Sequence, residues 1–260
     1  MKPTSKQELQ EIIEDTIDKK GNKCDLNFID VSLITDMSYL FFEIDFKGDI
    51  SKWNVSNVVN MNGMFKDSTF NGDISKWNVS KVEDMVFMFA HSKFNGDISN
   101  WNVSKVKDMG FMFYHSKFNG DISNWNVSNV ENMECMFDSS NFNGNISDWN
   151  VSNVRNMRCM FYDSIFIVDI SDWNVSKVEN MKSMFAHSQF NGDISKWDVS
   201  KVTDMTNIFY ESQFNGDISK WNVANVRNKT FLFVDTLLEE NPPEWCRNIK
   251  TPPENPLDIF

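Results

Sequence analysis

Tryptophan occurs at 53, 77, 101, 125, 149, 173, 197, 221 and 245, so each Trp stands 24 residues from the next. A strict interval of this size constrains the chain strongly. One unit is too short to bury an apolar face alone and must bury it by stacking on its neighbours. One unit reads Phe70-Asn-Gly-Asp-Ile-Ser-Lys-Trp77-Asn-Val-Ser-Lys-Val82-Glu-Asp-Met85-Val-Phe-Met88-Phe89-Ala-His-Ser-Lys93. The same frame runs from Phe46 to Leu237 as eight units without insertion or deletion. An imperfect unit precedes them, with Leu26, Ile29, Val31, Ile34, Met37, Leu40 and Phe41 in the matching columns. The excess of 23 Phe, 15 Met and nine Trp is therefore a few core columns multiplied, not a cofactor box.

Within a unit the spacing Ile74-x-x-Trp77-x-Val79 predicts a short strand, because its last apolar positions alternate. Val82, Met85, Met88 and Phe89 fall at i, i+3, i+6 and i+7, which predicts a short helix. Ser80 with Glu83 reads as its capping box, and so do Ser128/Glu131 and Ser176/Glu179. Asn71-Gly72 reads as a tight turn in which Gly tolerates a positive φ. The expected fold is α/β: a right-handed, leucine-rich-repeat-like solenoid of about nine coils over residues 25–238, each a parallel strand plus a helix. Residues 1–24 are expected to form an N-terminal capping helix, with Ser5-x-x-Glu8 as capping box and Leu9, Ile12, Ile13 and Ile17 apolar. All six Pro lie outside the repeats, at 3, 242, 243, 252, 253 and 256. Residues 239–260 are accordingly expected to be a C-terminal cap and Pro-rich tail.

These residues also carry a resemblance. The pattern F-N-G-D-I-S-x-W-N-V-S-x-V-x-x-M-x-x-M-F, over about residues 4–238, resembles the BspA-like leucine-rich-repeat surface protein family. Thr4-Ser-Lys-Gln-Glu-Leu ahead of Leu33-Ile-Thr-Asp-Met37 resembles that family's entry into its repeats. Trp-Asn-Val-Ser stands where Trp-Asp-Thr-Ser is commoner in the family. The resemblance implies a cell-surface, adhesion or host-interaction role rather than catalysis. The opening residues lack the apolar segment of a secretory signal. Location is therefore open between the cell surface or extracellular space and the cell interior.

The net charge of −12, from 37 acidic and 25 basic residues, argues against nucleic acid or anionic membrane as a partner. No apolar run reaches the ~20 residues of a membrane span, so no membrane insertion is expected. Cys24, Cys135, Cys159 and Cys246 are too few and scattered for a disulfide framework, which leaves the redox compartment open. Cys135 and Cys159 share a column and could touch. Cys24 and Cys246 lie at opposite ends and cannot pair intramolecularly.

An enzyme needs one asymmetric constellation, whereas nearly every polar residue here is copied in register, so no catalytic activity and no cofactor are expected. His91, His115 and His187 share one column, where two adjacent His without a third ligand make a weak metal site. The Asp ladder at 49, 73, 97, 121, 169, 193 and 217 has two readings. Its carboxylates hold calcium, or they accept hydrogen bonds from turn N–H groups; the second is preferred, and no metal ligand is assigned. On the expected concave strand face, Lys52, Lys76, Asn78, Asn100, Asn102, Asn124, Asn126, Asp148 and Asp172 form the candidate binding strip. Phe87, Phe111, Tyr114 and Tyr162 form a candidate apolar patch on the helices. The Asn-Val-Ser triplets match a glycosylation acceptor only because the unit repeats. Ile167-Val168 replaces Asn-Gly in one unit, without a reading. The expected function is a protein-interaction or adhesion module presenting the solenoid surface to a protein or glycan. The alternative is a structural scaffold or particle-coat subunit that oligomerises through solenoid ends or the helical ridge.

Overall fold

In the computed structural model, which describes residues 1–246, the architecture follows from where the backbone N–H groups go. Between Met85 and Ser92 they point in two directions. Those of Met85, Phe87, Phe89 and His91 donate to Asp108, Gly110, Met112 and Tyr114 carbonyls one coil on, at 2.8–3.2 Å. Those of Met88, Ala90 and Ser92 close turns onto the Met85, Phe87 and Phe89 carbonyls, at 3.1–3.2 Å. Val86 N–H donates to Asp84 Oδ1 at 2.9 Å. An α-helix would satisfy them four residues back, and a strand would satisfy none within its own coil. This segment does neither. Phe87 and His91 have φ of 56° and 54°, the positive value that the third residue of a type II turn requires.

The expected strand segment is also built from turns. Trp77 N–H donates to the Ile74 carbonyl at 3.1 Å, and Val82 N–H to Val79 at 2.9 Å. Asp73 Oδ1 accepts from Ser75 N–H at 2.9 Å, and Asn78 Oδ1 from Ser80 N–H at 3.1 Å. These side chains capture N–H groups that a strand ladder would need. Beyond the inter-coil bonds above, ladder-type bridging is limited to isolated parallel bridges, Asp25 to Asp49 and a run from Asp36 through Asn60, Asp84, Asp108, Asn132, Asn156, Asn180 and Asp204 to Asn228.

The strand-plus-helix expectation is therefore corrected. Among the described residues there is no strand, and the helices are α1 (Lys6–Lys20) and a three-residue 3-10 turn, Glu244–Cys246. The described residues therefore form no leucine-rich-repeat solenoid with a concave strand face, and no helical ridge. The adhesion surface and the scaffold contacts that rested on those features fall with them. Ser80/Glu83, Ser128/Glu131 and Ser176/Glu179 cap no helix. The glycine reading changes too, since Gly72 has no positive φ. A Cβ there would lie 2.8 Å from the Phe70 ring and 3.4 Å from the Gly48 carbonyl, so the column needs Gly for space. In the one coil with Val168 at this column, the Phe166 ring tilts 17° to Phe190. The equivalent Phe94–Phe118 pair is within 6°.

What holds the coils together is a set of aromatic columns. Phe89 stacks on Phe113 at 5.8 Å and 6° and on Phe94 at 4.4 Å. Phe70, Ile74, Trp77, Val79, Val82, Met85 and Met88 fill the rest of the coil's interior. Each buried side chain of this size contributes roughly 1.5–3 kcal/mol. The Trp77 indole N–H donates to the Ile50 carbonyl at 3.2 Å, and the same bond recurs from Trp53 to Trp245. At the N-terminal end α1 lays Leu9 and Ile13, both fully buried, on the first coil. Ser5 accepts from Glu8 N–H while Glu8 Oε2 accepts from Thr4 N–H, and Gly21 closes the helix onto the Ile17 carbonyl. The part of the expected tail from residue 247 onward lies outside the described residues.

Candidate functional site

Two columns of each coil take the left-handed conformation, one running from Glu43 through His91, His115 and Ser139 to Asp235 and one that includes the cysteines, here called the left-handed column. The left-handed column holds Tyr39, Gly63, Phe87, Phe111, Cys135, Cys159, Ser183, Asn207 and Phe231, with φ between 49° and 59°. An L side chain pays roughly 1–2 kcal/mol for this conformation. The N–H groups of Cys135 and Cys159 donate to the Arg158 and Lys182 carbonyls at 2.7 and 2.9 Å. The coil backbone thus sets the two cysteines side by side, pointing the same way.

Three residues beyond Cys135, Asp138 closes the group. The thiol sulfurs of Cys135 and Cys159 and a carboxylate oxygen of Asp138 all lie within 4.8 Å of one another. The residues are 3%, 8% and 8% exposed. Ser139 Oγ donates to Asp138 Oδ1 at 2.7 Å. Burial pushes the Asp138 carboxyl up to about 6, against hydrogen bonds from Ser139 and Cys135. Cys159 is held below the ordinary thiol value chiefly by the hydrogen bond from Cys135, helped by the Arg158 charge and opposed by burial. Cys135, as donor of that bond and also buried, is shifted upward. Arg158 is anchored to Glu134 at 2.7 Å, and Asn156 holds the other Glu134 oxygen at 2.9 Å.

Two soft sulfurs and one hard oxygen suit a thiophilic divalent cation. Tetrahedral zinc with sulfur at ~2.3 Å sets ligand atoms about 3.8 Å apart, a small closure of the present arrangement. The cysteines' shared column was legible in the sequence, but Asp138 was not. Its column carries Ala90, Tyr114, Tyr162 and Ala186 in the neighbouring coils, so no acidic ladder announces it. The available signal was Cys-x-x-Asp followed by a Cys exactly one coil later.

The other candidates divide. Lys52, Lys76, Asn78, Asn100, Asn102, Asn124, Asn126, Asp148 and Asp172 are all exposed, yet they lie on turns rather than a strand face. Asn78, Asn102 and Asn126 bind the Ser80, Ser104 and Ser128 N–H groups of their own turns at 3.1 Å. Phe87 and Phe111 stack at 4.5 Å, with Tyr114 edge-on to Phe111 at 5.7 Å. Tyr162 packs instead against His187, at 5.1 Å. His91 and His115 stack at 4.9 Å, and among the described residues they form no group of three ligands. In the Asp ladder, Asp97 and Asp121 accept the Ser99 and Ser123 N–H groups at 2.9 Å. Those bonds hold both carboxyls below the ordinary value. No helix of the described residues is long and apolar enough to cross a membrane.

The fold and site together define a protein of stacked, turn-built coils carrying a buried thiol–carboxylate cluster. The chain belongs to the family described as "Mycoplasma protein of unknown function, DUF285", which matches residues 8–117, 91–186 and 164–246. No curated protein and no solved structure matches it. The resemblance to BspA-like leucine-rich-repeat surface proteins is corrected by this membership and by coils that contain neither strand nor helix.

Proposed function

We propose that this chain is a non-enzymatic protein that binds a thiophilic divalent cation, zinc in the first instance, at Cys135, Asp138 and Cys159. The observation that carries the reading is the convergence of two sulfurs and one carboxylate oxygen within 4.8 Å, largely buried, with Cys159 keeping 8% exposure. Binding neutralises two thiolates and a carboxylate that would otherwise be costly to ionise together, and it releases their protons. The reading is non-enzymatic because Glu134, an acid–base group acting on Cys159, is already held by Arg158 and Asn156.

The test is cobalt(II) or zinc titration of the chelator-washed, reduced chain. The expected result is one ion per chain, with thiolate-to-cobalt charge-transfer absorption. Cys159→Ser and Asp138→Asn should weaken uptake at least tenfold. Ser183 already occupies the cysteine column, buried, so serine is compatible with the backbone there. Absence of uptake, or uptake indifferent to both variants, would overturn the reading.

A further inference from the structure

We propose that Cys135 and Cys159 are also a thiol–disulfide exchange site for low-molecular-weight disulfides. This deepens the metal reading, because the oxidised pair cannot hold the cation. The two residues lie one coil apart in the same column, have the same backbone conformation (φ 49° and 53°), and are free thiols. Their thiol sulfurs lie within 4.8 Å of each other, so a modest side-chain approach closes them to the ~2.05 Å of a disulfide bond. Cys24 and Cys246, at opposite ends of the stack, have no such neighbour.

Cys159, the more exposed of the pair at 8% against 3%, is the entry sulfur. As thiolate it attacks one sulfur of the small disulfide, forming a mixed disulfide and expelling one thiolate. Cys135 then attacks the Cys159 sulfur, the mixed disulfide breaks, and the second small thiolate leaves. The protein pair loses two electrons, the small disulfide gains them, and the two thiol protons end on the two released thiols. Both protein sulfurs are then spent on each other, and Asp138 alone does not retain the metal.

The experiment treats the chelator-washed full chain with oxidised glutathione and reads intact mass, peptide mapping and subsequent zinc uptake. The expected result is loss of two hydrogens, a bridge mapped to Cys135–Cys159, and at least a tenfold loss of zinc uptake that dithiothreitol restores. Cys135→Ser should stop at a glutathione adduct on Cys159. A stable adduct without a bridge in the unaltered chain, or a bridge involving Cys24 or Cys246, overturns the proposal. If the bridge fails while the reduced chain still takes up zinc, the exchange site falls and the metal reading stands. If the bridge forms but the reduced chain takes up no zinc, the metal reading falls and the exchange site stands.

Discussion

The inward tryptophan column and the left-handed column repeat on the same 24-residue offset, yet one is uniform and the other is not. Trp125 and Trp149 make the same indole bond to the Ile98 and Ile122 carbonyls at 3.1 Å. In the left-handed column, Phe87, Cys135 and Ser183 make the same backbone bond to the next coil at 3.0, 2.7 and 2.8 Å, through N–H groups that any side chain leaves free. A side chain that makes the stacking contact must be repeated. One that merely rides on the backbone can change at every coil, so a chemical site arises wherever two adjacent coils carry matching ligands.

The largest test of that contrast is Trp125→Ala. It removes a core ring and one of the two donors to the Ile98 carbonyl, which the Trp101 N–H still reaches at 3.1 Å, so a loss of about 3–5 kcal/mol is expected in urea unfolding. Phe231→Ser, in the left-handed column, should cost about 1 kcal/mol or less. Equal losses would end the distinction between the columns. Gly120→Ala is intermediate. Its Cβ would lie 2.8 Å from the Phe118 ring, and an overpacking cost of about 1–3 kcal/mol is expected, read from the same transition. An unchanged midpoint would show that the ring yields as Phe166 does beside Val168.

The smallest effect is pH-dependent. His115 is shifted below its ordinary value of 6.5 by burial and by His91, so the folded state favours the neutral ring. Its contribution is present above the unfolded value and is lost as pH falls through the folded one. Comparing Tm at about pH 8 and pH 5, His115→Gln should lose less on acidification than the unaltered chain does. A greater loss in the variant would reverse the sign assigned to this site.

Legibility in the sequence follows the same division. The spacing of Val82, Met85, Met88 and Phe89 suits a helix, but overlapping three-residue-offset turns also bring i and i+3 to one side. Periodicity does not separate the two. The alternation between turn bonds and bonds to the next coil depends on a neighbouring coil being present. Gly72 has the same ambiguity, since a glycine needed for φ and one needed for space read alike until Phe70 is seen against it.

By itself, the sequence determined the 24-residue offset, the identity of the buried columns and the cysteines' shared column, because equal unit lengths put equal residues in equal places. Only the tertiary structure decided that the coils are turns, since each N–H group chooses between its own coil and the next according to what lies within reach. It also brought Asp138 to the two thiols, because the turns fold that column against the cysteine column, and the Cys-x-x-Asp spacing carries that contact only once the turns are known.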